Sequence, residues 1–322
     1  MTARRFNLIL LVGIVVAAGL SLIAGKVWLP WAAWHSGDPR WLIIAELRAP
    51  RTMLALVIGA ALGVSGAAMQ GYLRNPLADP GLFGVSSGAA LGAVISLFFG
   101  FATTAWLLPA FALTGAGVAM ALLALLAGRS ASLILFTLAG VILSSVAGSL
   151  TALAISLAPT PFAVSEIVTW LMGALTDRSW DDVRIAVPLV AAGAACLAAT
   201  GRSLDALTLG EPAARSMGVD PRRLQTLIIV GVGLCVGSAV AAAGVIGFVG
   251  LIVPHLVRPF VGNRPSAVLL PSALGGALLL LLADSLVRAA PTVSELRLGI
   301  AMAVLGGPFF FVLLLRMRRR LV

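Results

Sequence analysis

Apolar residues run along this chain in blocks of about twenty, separated by short polar breaks. A bilayer core needs about 20 apolar residues per helix, and every backbone polar group in lipid must be paired within its segment. The pattern predicts helical spans at about 7–29, 51–71, 82–100, 104–127, 131–157, 183–200, 224–243, 245–261, 266–289 and 297–315. The eighth, "GVIGFVGLIVPHLVR", is short and interrupted by Gly and Pro. A further stretch, "SEIVTWLMGAL", is too short to cross and amphipathic enough to lie at an interface.

One polar run, "DALTLGEPAARSMGVDPRR" at 205–223, divides two of these blocks and has internal order. Pro212 suits a helix first turn with Glu211 near its positive end, and Gly218 is a natural left-handed stop. Asp220 and Pro221 then form the N-cap and first turn of the seventh span. Six residues rise only about 9 Å, so the run cannot cross the membrane. Two readings stand: an ordinary stiff loop, or a rigid knob offering Ala213, Ala214, Met217 and Val219 to a groove on a soluble partner.

Composition fixes the solvent. Of 322 residues, 60% are hydrophobic and 11% charged, against about 25% charged in a soluble domain, so lipid surrounds the chain. The net charge of +10 is scattered at the ends of apolar runs, which argues for membrane orientation and against nucleic acid. Ten crossings put both termini on one side. With the termini inside, the inner basic residues are Arg4, Arg5, Arg74, Arg129, Arg202, Arg215, Arg222, Arg223, Arg258, Arg264, Arg316, Arg318, Arg319 and Arg320. The outer set is smaller: Lys26, Arg40, Arg48, Arg51, Arg178, Arg184, Arg288 and Arg297. Trp28, Trp31, Trp34 and Trp41 then form an outer aromatic belt. Arg4 and Arg5 before an apolar run resemble a signal peptide, but the run is too long and "LIAGKVWLP" is a poor cleavage site.

Small residues recur four apart in "GAALG" at 59–63 and 88–92 and in "GLCVG" at 233–237. Such spacing lets helix backbones approach closely, or lines a wide pathway with smooth side chains. "VIGAALGVSGAAMQGYL" and "IVGVGLCVGSAVAAAGV" share a texture that hints at internal duplication.

Candidate chemistry is sparse. The sequence lacks a G-x-x-x-x-G-K-[ST] phosphate loop, and its only lysine is Lys26, so any ATP-derived energy must come from another subunit. Cys196 and Cys235 read as buried packing residues, and His255, without a neighbouring His or Cys, as a satisfied turn residue; neither suggests a metal or cofactor site. Asp284 is the one intramembrane acid that could relay an ion, and Arg288 four residues on explains it as a local ion pair. Arg48 and Arg51 flank Pro50 at the expected start of the second span, where a cation opposes the helix dipole. These two and Arg288 read either as snorkelling side chains or as a docking surface for acidic groups on an external partner.

At this point the chain resembles the ABC importer permeases for iron chelates and cobalamin, the FecCD family. The matching segments are "LRAPRTMLALVIGAALGVSGAAMQGYLRNPLADPGLFGVSSGAALGA", "LGEPAARSMGV", "GVIGFVGLIVPHLVR", "LLLADSLVR" and "ELRLGIAMAVLGGPFFFVLLL". The resemblance implies an all-α, ten-helix type II importer permease, a single transmembrane domain over 1–322, in the bacterial inner membrane. It implies a homodimer, a cytoplasmic ATPase dimer and a periplasmic binding protein that delivers a metal chelate. The loop at 203–223 would couple to the ATPase through Leu209, Gly210, Glu211, Ala213, Ala214, Arg215, Met217 and Gly218. Arg48, Arg51 and Arg288 look like the arginines that meet acidic residues on the binding protein's two lobes in a cobalamin importer of this family. Transport would be by alternating access, with a ferric siderophore or haem as cargo and cobalamin as the alternative, because "WLMG" is shared across the family. The rival class is an ion-coupled secondary transporter or channel, which the shortage of intramembrane ionisable groups disfavours.

Overall fold

The computed structural model describes residues 2–25, 29–30, 34–35, 37–101, 104, 106–128, 133–291 and 295–318. Lys26, Trp28, Trp31, Arg129, Arg319 and Arg320, used above for orientation, lie outside the described residues. Among the described residues the chain is helical and contains no strand. In order come α1 (Ala3–Ile23), α2 (Ala49–Leu73), α3 (Val85–Phe98), α4 (Leu107–Ala127), α5 (Leu133–Ser156), α6 (Pro161–Leu171) and α7 (Trp180–Ala199). There follow α8 (Gly201–Leu207), α9 (Glu211–Ser216), α10 (Pro221–Ala243), α11 (Val249–Val261), α12 (Pro265–Ala289) and α13 (Leu298–Arg318).

Eight of these, α1, α2 with the helical turns before it, α4, α5, α7, α10, α12 and α13, are long and apolar enough to cross a bilayer. The spans expected at 82–100 and 245–261 are shorter, because α3 has 14 residues and α11 has 13. Those lengths rise only about 21 and 20 Å, less than a hydrocarbon core of about 30 Å. The chain before α11 is not helical: Gly244 (φ 71°) and Phe248 (φ 69°) are both left-handed. Irregular backbone at membrane depth needs partners within the protein. The Gly244 amide donates to the Val240 carbonyl at 2.8 Å, and the Gly247 and Phe248 carbonyls accept from the Val249 and Leu251 amides at 3.0 and 3.1 Å. "SEIVTWLMGAL" falls largely in α6, an 11-residue helix whose Thr160 cap accepts from the Ala163 amide.

α2 and α10 occupy the centre, with 78% and 72% of their spanning windows buried, whereas α1, α5 and α13 are mostly on the outside. The central packing is backbone on backbone. A β-carbon at Gly59 would collide with the Gly276 carbonyl of α12, and one at Gly63 with that of Ser272. Gly88 and Gly92 of the second "GAALG" face Gly115 and Phe111 of α4, while Gly233 and Gly237 face Met120 and Ala116. All three spacings are helix crossings, and Gly88 and Gly92 also line an apolar cavity of about 410 Å³.

The central crossing generates a contrast. Gly63→Ala forces a methyl into the α12 backbone and should destabilise by about 1–3 kcal/mol, as overpacking does. Gly117→Ala, at a helical glycine with nothing within 4 Å, should be neutral or stabilising. Melting both variants in detergent checks this; equal shifts would contradict the packing.

Candidate functional site

The three arginines singled out in the sequence come together at one end of the bundle, and the reason lies in the helix that carries two of them. Helical backbone begins at Trp41, not at Pro50. From Ile43 to Arg48 it is a π-helix, in which the Ala49 amide donates to the Ile44 carbonyl five residues back. The wider turn lets Pro50, which has no amide proton, sit in a continuous helix. Arg48 and Arg51 are therefore well inside a helix instead of at its positive end, and the dipole conflict expected from the sequence is relieved.

All three side chains are buried, so the protein, not lipid headgroups, holds their guanidiniums. Arg48 Nη1 donates to the Leu22 and Ile23 carbonyls at 2.8 Å each, satisfying orphan acceptors at the end of α1. Arg51 forks onto Asp284, with Nε and Nη2 donating to Oδ1 at 3.0 and 2.8 Å, and its Nη1 reaches Glu295 Oε2 at 2.9 Å. Arg288 Nε lies 3.1 Å from the other Asp284 oxygen. Its Nη2 donates to Ser21 Oγ at 2.5 Å, and Ser21 is in turn hydrogen-bonded to Thr52.

Asp284 thus has the expected partner on its own helix and a second one, Arg51, 233 residues away. Sequence spacing could show the first and not the second. Glu295 and Thr176 were also missed; Thr176 Oγ1 donates to Glu295 Oε2 at 3.1 Å, and both come from connections between helices. Burial pushes the Glu295 carboxyl up, but the charge and hydrogen bond of Arg51, with the Thr176 hydroxyl, hold it below the ordinary carboxylate range. Beside the cluster opens a cavity of about 380 Å³ into which Arg48, Arg51, Arg178, Arg288 and Glu295 face. Its chemistry suits a carboxylate: several guanidiniums converge, and guanidinium–carboxylate pairs are bidentate and strong.

The second candidate site is the loop at 205–223. Its knob is α9, begun by Gly210 at φ 98° and ended by Gly218 at φ 84°; Asp220 caps α10 by accepting from the Arg222 amide at 2.9 Å. Of the four side chains expected to face outward, Met217 does, Ala213 and Val219 are half-buried, and Ala214 does not. Ala214 is buried, and with Val219 it lines a small inward cavity alongside Tyr72, Leu207 and Glu211. The apolar side chains presented outward are Leu209, 67% exposed, and Met217, 62% exposed. Arg215 and Gly218 are also exposed, and Gly210, Glu211 and Ala213 are half-buried. α8, just before the knob, was not foreseen. His255 is not in a turn either: it lies in α11, edge-on to Phe309 of α13 with ring centroids 5.9 Å apart.

Removing Asp284 tests the cluster. Asp284→Ala leaves two buried guanidiniums short of their shared carboxylate and should destabilise by about 3–5 kcal/mol, the usual cost of breaking a buried pair. A detergent melt would read this, and an unchanged midpoint would contradict the arrangement.

Comparison with known proteins matches this architecture throughout. The chain is 37% identical to the ABC transporter permease protein YvrB of Bacillus subtilis, over 95% of this chain and 92% of that protein. It is 38% identical to the vitamin B12 import system permease protein BtuC of Salmonella paratyphi A, over 98% and 96% respectively. A solved structure described as an inward-facing conformation of a metal-chelate type ABC transporter superposes with a TM-score of 0.89 at 32% identity, covering 97% of this chain and 99% of that one. Residues 10–316 match the FecCD transport family, and with full-length relatives above 30% identity the chain belongs to that family.

Proposed function

We propose that this chain is the permease subunit of an ATP-driven importer that carries a metal chelate, a ferric siderophore or haem, from periplasm to cytoplasm by alternating access. One observation carries the reading: the full-length likeness to an inward-facing metal-chelate type transporter, on a chain whose two ends present a stiff apolar knob and an arginine-lined cavity. Cobalamin is the second cargo, favoured by the identity with the vitamin B12 permease.

In this reading residues 1–322 form one permease domain, a homodimer in the bacterial inner membrane with both termini cytoplasmic. The chain has no ATP site of its own, and a cytoplasmic ATPase dimer supplies the energy. The loop at 203–223 seats in a cleft of that ATPase, with Leu209 and Met217 as its apolar anchors. Two long apolar side chains that flank a helix fixed by glycine at each end transmit force better than a mobile loop, because little of the push is lost in bending. At the other end, an acidic side chain of a periplasmic binding protein enters the cavity and meets Arg48, Arg51 and Arg288. Asp284 and Glu295 hold Arg51, Asp284 holds Arg288, and the Leu22 and Ile23 carbonyls hold Arg48 in place beforehand, so that little ordering cost remains on docking.

Reconstitution with a candidate ATPase and binding protein tests the reading, with uptake measured over ferric siderophores, haem and cobalamin. ATP-dependent uptake of one chelate is expected, and uptake unchanged without the ATPase would overturn the importer. Met217→Asp puts a charge on the exposed anchor and should uncouple hydrolysis from uptake while the protein still inserts and folds; retained coupling would overturn the knob.

A further inference from the structure

α8 is wedged against the inner ends of two central helices. Leu204 is fully buried, and a β-carbon at Gly71 of α2 would stand 3.1 Å from Pro265 and 3.5 Å from Leu204. Gly201 brings α8 so near α12 that its own β-carbon would stand 3.3 Å from that of Ser266. One turn later Asp205 reaches across: its Oδ1 accepts from the Ser266 amide at 2.9 Å and its Oδ2 from the Ser266 hydroxyl at 2.5 Å.

Ser266 is the second residue of α12, and Arg264, at the N-cap of that helix, makes no side-chain capping bond. The missing cap comes instead from α8, 61 residues earlier in the chain. A carboxylate at this position satisfies an orphan amide and complements the positive end of the helix dipole. α8 is stiffly joined to the knob: the Leu209 and Gly210 amides bond back to Ala206 and Leu207 at 3.1 and 3.0 Å, and the Thr208 hydroxyl bonds to the Asp205 carbonyl at 2.7 Å.

α12 spans about 37 Å at 1.5 Å per residue, and its far end carries Asp284 and Arg288. α10 also follows the knob directly, yet no residue of α10 makes the hydrogen bonds or ion pairs described for the arginine cluster, whereas α12 contributes two of its charges. We propose that Asp205 is a positioning residue that fastens the loop at 203–223 to the N-terminus of α12, so that displacement of the knob moves α12 as a rod and is felt at Arg51, Asp284 and Arg288. The proposal rests on the reading of that loop as the ATPase contact.

The test uses the complete transporter in liposomes, with the binding protein carrying whichever chelate of the panel above is taken up. In Asp205→Ala the stimulation of hydrolysis by the loaded binding protein, read as the ratio to basal hydrolysis of the same variant, should fall about fivefold or more, the scale of a typical coupling energy. Asp205→Asn, whose amide oxygen still accepts from the Ser266 amide, should restore most of the stimulation. Ser266→Ala, which removes only the hydroxyl, should fall between them and serves if Asp205→Ala does not fold. Full stimulation in both Asp205→Ala and Ser266→Ala would overturn the proposal, as would basal and stimulated hydrolysis lost in proportion. Met217→Asp in parallel separates the two ideas: coupling retained there defeats the ATPase contact itself, whereas coupling lost there and intact in Asp205→Ala defeats only the rod.

Discussion

The contact of α2 with α12 is the constraint on which the rest of the molecule depends. Lipid gives two helices no hydrophobic reason to associate, so they must be held by close packing and polar bonds. Here the glycine rows at Gly59, Gly63 and Gly276 let the backbones touch, and the Arg51–Asp284 fork closes the pair at one end. Each needs the other. Without the backbone contact the two charges would be too far apart to pair, and without the pair the arginine would be an uncompensated cation in a buried place.

From that pair the two candidate sites follow. The residues that complete the cluster, Ser21 from α1, Thr176 from the α6–α7 connection and Glu295 before α13, gather around charges already fixed by α2 and α12. At the opposite end, Gln70 of α2 donates to the Gly250 carbonyl at 3.2 Å and accepts from Arg258 at 2.8 Å, tying the short α11 to the same unit. α8 and the knob lean on its remaining face through Gly71 and Ser266. An importer permease must let events on one side of a membrane be felt on the other, and a pair of helices in backbone contact is a stiffer link than side chains alone.

Much of this was legible in the sequence, for identifiable reasons. Long apolar blocks announce membrane helices because lipid leaves no other backbone solution, and Pro and Gly at helix boundaries outlined the knob. Arg48, Arg51 and Arg288 stood out because charge is costly there. What escaped notice was set by tertiary proximity. Glu295 and Asp205 are ordinary loop-side acids until folding brings Arg51 and Ser266 to them. α8 is too short and too mixed in polarity to show a helical period, and a six-residue helix such as α9 has too few positions to reveal that Ala214 faces inward. Pro50 pointed to a helix start that the π-helical turn made unnecessary.

If α12 moves as a rod, the knob end and the arginine end act as one unit. A double-mutant cycle asks this directly, combining Asp205→Ala with Glu295→Gln and reading binding-protein-stimulated ATP hydrolysis. Groups this far apart ordinarily add to within about 0.3–0.5 kcal/mol. A rigid α12 gives a departure from additivity well beyond that margin, and strict additivity would rule the rod out.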